Sequence, residues 1–118
     1  MKIKIENYPS MQVAMEQLCS FLQSQGVSED SVFHCKLAAS ELVGNVLRHS
    51  NGYATLHTQL ANGVVELVIQ SSVQFTPPTQ SVCADLYAEH GRGLFLVDAI
   101  SIERTTTEAG DILVKIKM

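Results

Sequence analysis

Residues 36–50 read KLAASELVGNVLRHS, and this stretch decides the fold of the chain. Its apolar residues recur at a three- and four-residue spacing, which predicts an α-helix. Glu41, Asn45 and His49 are each four residues apart, so a turn of ~3.6 residues places their side chains along one helical face. A carboxylate can accept a proton, an amide oxygen can ligate Mg²⁺, and an imidazole can contact phosphate. An exposed polar face of a helix explains the same spacing without any ligand.

Length and composition indicate one ordinary globular domain. The 118 residues are enough for a single core, so we expect one domain over residues 1–118. The formal charge is −4 without a basic run, which disfavours nucleic-acid binding. No apolar run approaches the ~20 residues of a membrane helix, and residues 1–6 do not resemble a signal peptide. Cys19, Cys35 and Cys83 have neither Cys-x-x-Cys nor zinc spacing, which favours a reduced, cytoplasmic setting.

Periodicity along the rest of the chain predicts a sheet with helices on one side. The predicted elements are a strand at 3–5, helices at 11–24 and 28–49, strands at 53–60 and 64–69, a short helix at 94–100, and strands at 101–107 and 112–117. Asn62-Gly63 is a strong hairpin signal, and residues 70–91 form a long irregular segment. This order favours an α+β fold, a two-layer α/β sandwich with a mixed, mostly antiparallel sheet covered on one face by helices.

A second motif lies directly before the short helix. Gly91, Arg92, Gly93 and Leu94 place two glycines at the start of an apolar helical run. Glycines let backbone N–H groups approach an anion, and a helix N-terminus adds positive potential. The motif is therefore compatible with phosphate binding, although a purely structural turn is the more common explanation of such a motif.

Together, the two motifs resemble those of the GHKL ATPase superfamily, and within it the small anti-sigma-factor serine/threonine kinases of bacterial stress and sporulation control. Residues 41–49, ELVGNVLRH, are similar to the family's N-box, Glu-Leu-x-x-Asn-x-x-x-His. Residues 91–96, GRGLFL, are similar to its second glycine box, Gly-x-Gly-Leu-x-Leu. The resemblance covers nearly the whole chain and implies the Bergerat ATP-binding fold.

The resemblance also implies roles for individual residues. Glu41 would be the general base that activates the attacking hydroxyl, and Asn45 would ligate a Mg²⁺ that bridges the phosphates of ATP. His49 would lie near those phosphates. The glycine box at residues 91–94 would hold the phosphates beneath a lid formed by residues 70–90. Phosphoryl transfer needs mainly positioning and charge neutralisation, which such residues can supply.

One segment departs from the family pattern at the adenine end of the site. The family carries Asp-x-Gly-x-Gly after the strand that is predicted to end near Ile69, whereas residues 70–77 here read QSSVQFTP. Ser71 or Ser72 would accept a hydrogen bond from adenine without a charge, and Val73 would crowd the base. A charge-assisted hydrogen bond contributes roughly 1.5–3 kcal/mol against about 1 for a neutral one. The loss corresponds to about tenfold weaker binding.

Three hypotheses about function follow from the resemblance. The chain is a kinase that binds ATP and Mg²⁺, phosphorylates an anti-sigma-factor antagonist and sequesters a sigma factor. Alternatively, it is a degenerate member of the fold that regulates a partner by binding, with weak or no nucleotide binding. The ATP-binding half of a signalling histidine kinase is a weaker third hypothesis, because no helix with a phospho-accepting histidine is present. Expected partners are a sigma factor, an antagonist protein and a second copy of the chain; nucleic acid and membrane are not expected.

Overall fold

The computed structural model of the chain describes residues 1–49, 52–72, 97, 99–106 and 111–118, and these form helices packed on a five-stranded sheet. The elements are β1 (Lys2–Ile5), α1 (Tyr8–Ser24), α2 (Glu29–His49), β2 (Ala54–Ala61), β3 (Val64–Ser71), β4 (Glu103–Thr106) and β5 (Ile112–Lys117). The predicted α+β class and the predicted order of elements are confirmed over the described residues.

The strands lie in the order β1-β2-β3-β5-β4, and each of the four pairings between them is antiparallel. The β2–β3 turn has positive φ at both central residues, 55° at Asn62 and 75° at Gly63. Two residues with positive φ suit the right-handed twist of a tight hairpin, so the predicted turn is confirmed. The sequence predicted a mixed sheet with some parallel pairing, but no pair among the described strands is parallel.

The core lies between the sheet and the two long helices. Alternate residues of every inner strand are buried on the helix-facing side, as in Leu56, Leu67 and Val114. α2 packs across β2, β3 and β5, while α1 packs against α2 and β1. α2 is therefore the central helix, and its position over the middle strands determines where its polar residues emerge.

α1 begins at Tyr8, three residues before the start of its apolar period at Met11. Asn7 is its N-cap: Asn7 Oδ1 accepts from the Ser10 N–H at 2.9 Å, and the Asn7 N–H donates to Ser10 Oγ at 3.0 Å. This reciprocal pair satisfies two backbone donors that would otherwise lack partners, and Pro9 fits in the first turn. The helix consequently starts at Tyr8, as Tyr8-Pro9-Ser10 allowed, and the apolar period predicted from Met11 forms its body.

The start of α2 is capped by the side chain of Ser28. Ser28 Oγ accepts from the Ser31 N–H at 3.2 Å, which confirms Ser28 as the N-cap. Glu29 and Asp30 lie in the first turn, where their negative charges interact favourably with the helix dipole. In the described residues, neither helix has the length and apolar character needed to cross a bilayer.

Candidate functional site

Glu41 and Asn45 of the N-box lie one turn apart on α2, on a different face from the residues that line the groove beside α1. A groove of about 660 Å³ lies along the junction of α1 and α2, and Lys36 and Ser40 of α2 contribute to its lining. At 3.6 residues per turn, Glu41 and Asn45 lie roughly 100–180° round the helix from those two residues. The structure thus brings Glu41 and Asn45 onto one face, as the spacing predicted. Their chemical roles stay predictions.

Asn45 is the most enclosed polar residue of this face. Its side chain is only 3% exposed, whereas Glu41 is half-buried. A buried amide must find hydrogen-bond partners, because leaving one without a partner costs ~1–3 kcal/mol. Asn45 therefore serves as a fixed polar group at the edge of the core, next to a carboxylate one turn earlier.

The amide oxygen of Asn45 accepts a hydrogen bond from Arg48. The guanidinium Nη2 donates to Asn45 Oδ1 at 2.6 Å, from three residues further along the helix. The donor is charged and the distance is short, so this is one of the stronger kinds of hydrogen bond. From the sequence, Arg48 could pair with a phosphate or interact with the dipole at the helix C-terminus, the second being the default, and its contact with Asn45 was not predicted. The signal that would have found it is the three-residue spacing from Asn45, at which helical side chains meet.

Gly44 makes room for the Arg48 side chain. A Cβ atom placed on Gly44 would lie 3.4 Å from Arg48 Nη1 and 3.9 Å from Cζ. The guanidinium therefore lies directly over this glycine, one turn earlier on the helix. A larger side chain at position 44 would compete with Arg48 for the space through which it reaches Asn45.

The arrangement of Asn45 and Arg48 does not fit a magnesium ion on Asn45. A Mg²⁺ ligand oxygen lies ~2.0–2.1 Å from the metal. The ion would stand within about 4 Å of the guanidinium, where repulsion reaches ~8 kcal/mol at an effective dielectric of about 20. Elsewhere among the described residues, no group of three or more His, Cys, Asp or Glu side chains is placed to hold a metal. Asn45 can therefore take a metal only after Arg48 leaves it.

At the adenine end, β3 continues past the point where the sequence predicted its end. Ser71 still pairs with Ala54 of β2, and because paired residues share a face, it lies on the helix-facing side of the sheet. The prediction that the irregular segment begins at Gln70 is wrong, because pairing with β2 holds Gln70 and Ser71 in the ladder.

Ser72 is tied to the beginning of β2. The Tyr53 N–H donates to Ser72 Oγ at 2.8 Å, and the Ser72 N–H donates to the Tyr53 carbonyl at 2.8 Å. The Ser72 hydroxyl thus already accepts a hydrogen bond from the backbone. A contact of Ser71 or Ser72 with adenine stays a prediction, and Val73 lies outside the described residues.

The remaining predicted site residues are not placed by the structure. Gly91, Arg92, Gly93 and Leu94 lie outside the described residues, and so does the side chain of His49, the last residue of α2. The predicted short helix is confirmed at its end, since residues 97, 99 and 100 are helical and Val97 is fully buried. Phosphate binding by the glycine box stays a prediction.

The antiparallel sheet covered by α1 and α2, with Glu41 and Asn45 one turn apart on α2, is an α+β fold consistent with a GHKL ATPase domain. Residues 7–116 match the family model described as histidine kinase-like ATPase domain. The chain belongs to this family, and membership supports an ATP-binding regulatory function. A comparison with curated proteins found no match.

Proposed function

We propose that the chain is an anti-sigma-factor-type regulator, a serine/threonine kinase that binds ATP and phosphorylates an antagonist protein. The observation that carries this proposal is the placement of Glu41 and Asn45 on successive turns of one helical edge. A base and a polar anchor so arranged suit the transfer of a phosphoryl group between two bound reactants. Its partners would be the antagonist, the sigma factor that the chain sequesters and a second copy of the chain.

In this proposal, Glu41 takes the proton in the transfer step. The oxygen of a serine hydroxyl on the antagonist forms a bond to the γ-phosphorus of ATP. The bond between that phosphorus and the oxygen bridging to the β-phosphate breaks, and ADP leaves with the electron pair. The hydroxyl proton passes to the Glu41 carboxylate. Glu41 is half-buried and can therefore meet a substrate at the surface while being shielded from bulk water.

A second candidate function is regulation by binding alone. It is favoured by two contacts: Arg48 occupies the oxygen of Asn45, and Tyr53 uses the hydroxyl of Ser72. In the kinase proposal, a bound nucleotide would need the Asn45 oxygen near its phosphates and the Ser72 hydroxyl near its base. If these two groups only stabilise the fold, the chain would keep its partner-binding surface and have no kinase activity.

ATP titration by calorimetry tests the proposal, with Lys36→Ala as the matched control from the opposite edge of α2. Wild type and Lys36→Ala should bind ATP with micromolar affinity, and Asn45→Ala should bind at least about tenfold more weakly. Wild type that gives no heat at millimolar ATP would exclude nucleotide binding and leave the second candidate.

Basal ATP hydrolysis then separates the two candidates, because water can replace the serine hydroxyl. For a kinase, Glu41→Gln should slow release of ADP by about 10²-fold or more while ATP affinity stays unchanged. Equal rates in wild type and Glu41→Gln would remove Glu41 as the base and favour regulation by binding.

A further inference from the structure

The Arg48–Asn45 contact places a permanent positive charge in the candidate nucleotide site. Asn45 is almost fully buried, and its oxygen points to the guanidinium at 2.6 Å. Arg48 itself is exposed, so its charged group lies at the boundary between the core and the space outside α2. The guanidinium brings a full positive charge to this boundary.

We propose that Arg48 is the cation of this nucleotide site, so that the triphosphate of ATP binds without a divalent metal. This inference rests on the proposed function, because it concerns the same site and assumes that ATP occupies it. It goes further in assigning the neutralising charge to a residue of the chain instead of the Mg²⁺ implied by the resemblance.

The geometry favours a guanidinium as a phosphate ligand. The group has five N–H donors in a planar fork, which matches phosphate oxygens and leaves donors beyond the one used by Asn45. Its contact with Asn45 and its position over Gly44 hold the flexible side chain in one place before ATP arrives. Less side-chain entropy is then lost on binding, which strengthens the complex.

The same contact makes Arg48 and a metal competitors. Both would use the Asn45 oxygen, and the two positive groups repel each other at that distance. While Arg48 holds Asn45, a divalent ion gains little there. Removal of the arginine frees the oxygen, so a variant without it should become dependent on the metal.

The test is ATP affinity by calorimetry, in excess Mg²⁺ and in EDTA, for wild type, Arg48→Ala, Arg48→Lys and the control Lys36→Ala. Wild type and Lys36→Ala should have affinities that agree within about threefold between the two buffers. Arg48→Ala should bind at least about tenfold more weakly in EDTA, with Mg²⁺ restoring most of the loss. Arg48→Lys keeps the charge without the fork, so in EDTA it should bind more tightly than Arg48→Ala.

Three outcomes would overturn the inference. Wild type that binds only with Mg²⁺, with Arg48→Ala equally dependent on the metal, excludes Arg48 as the cation and leaves ATP binding intact. Arg48→Lys as weak as Arg48→Ala in EDTA excludes charge as the cause. Wild type that binds ATP in neither buffer overturns both this inference and the nucleotide-binding proposal on which it rests.

Discussion

Ser31 Oγ donates a hydrogen bond to the main-chain carbonyl of Lys117 at 2.7 Å, across 86 positions of sequence. The contact joins the first turn of α2 to the last residue of β5. Ser31 is one of the few buried polar residues, with 8% of its surface exposed. The hydrogen bond therefore helps to fix the direction in which α2 crosses the sheet, and with it the position of Glu41 and Asn45.

Replacement of Ser31 by alanine should lower the free energy of unfolding by about 1 kcal/mol, because the hydrogen bond from the buried Ser31 hydroxyl is lost. Urea unfolding followed by circular dichroism measures the change. Ser20→Ala is the control, since Ser20 is exposed on α1. Equal stability of the two variants would show that solvent replaces the Ser31 hydroxyl.

The capping pair at the start of α1 should also be measurable. Asn7→Ala removes the oxygen that accepts from the Ser10 N–H, so we expect a loss of about 1 kcal/mol in urea unfolding. Asn7→Asp keeps an acceptor and adds a negative charge at the helix N-terminus, so it should retain wild-type stability. A loss as large in Asn7→Asp as in Asn7→Ala would contradict the capping explanation.

The features that could be predicted from the sequence are those set by near neighbours. α2 was predictable because Ser28 caps it and its apolar residues keep a helical period over some twenty positions. The β2–β3 hairpin was predictable because Asn62 and Gly63 tolerate positive φ. The start of α1 at Tyr8-Pro9-Ser10 was predictable because proline is tolerated in the first turn, although the apolar period of the helix begins only at Met11.

The features that could not be predicted depend on partners distant in sequence or on the choice of a rotamer. β3 extends to Ser71 because Ala54 pairs with it, and nothing in residues 70–72 alone indicates that register. The Glu41–Asn45 face follows from helical spacing, but the Arg48 contact does not. An arginine near a helix C-terminus can interact with the dipole, with solvent or with a ligand, and the space above Gly44 decides between them.

Cys35 should be an unreactive thiol with a measurable effect on stability at high pH. Burial, with a smaller effect of Cys19, raises the pKa of Cys35 from 9.0 to about 12. The unfolded chain loses this proton near pH 9 and the folded chain retains it, so stability should fall as pH rises from about 9 to 12. Cys35→Ala should lower stability at pH 7 and remove this part of the pH dependence.

Thiol labelling gives an independent measurement on Cys35. In a Cys83→Ser background at pH 8, half-buried Cys19 should react with an aromatic disulfide reagent at least about a hundredfold faster than Cys35, because the thiolate is the nucleophile. Equal rates for the two thiols would mean that the interface between α1 and α2 opens readily. In that case, burial would not control the chemistry of Cys35.

Thr58 offers a substitution that should stabilise the chain. The residue is fully buried in β2, and its hydroxyl has no hydrogen-bond partner in the part of the chain that the structure describes. Its backbone is well bonded, since the Thr58 N–H donates to the Met1 carbonyl at 2.8 Å. Valine has a similar shape and no hydroxyl, so Thr58→Val should raise the free energy of unfolding by about 1 kcal/mol.

Thr55→Val is the matched control for that substitution, because Thr55 lies on the opposite face of the same strand and is only half-buried. It should change the free energy of urea unfolding by less than about 0.5 kcal/mol. A loss of stability in Thr58→Val would mean that its hydroxyl is hydrogen-bonded in solution. A gain confined to Thr58→Val would identify the hydroxyl as an uncompensated polar group beneath the helices.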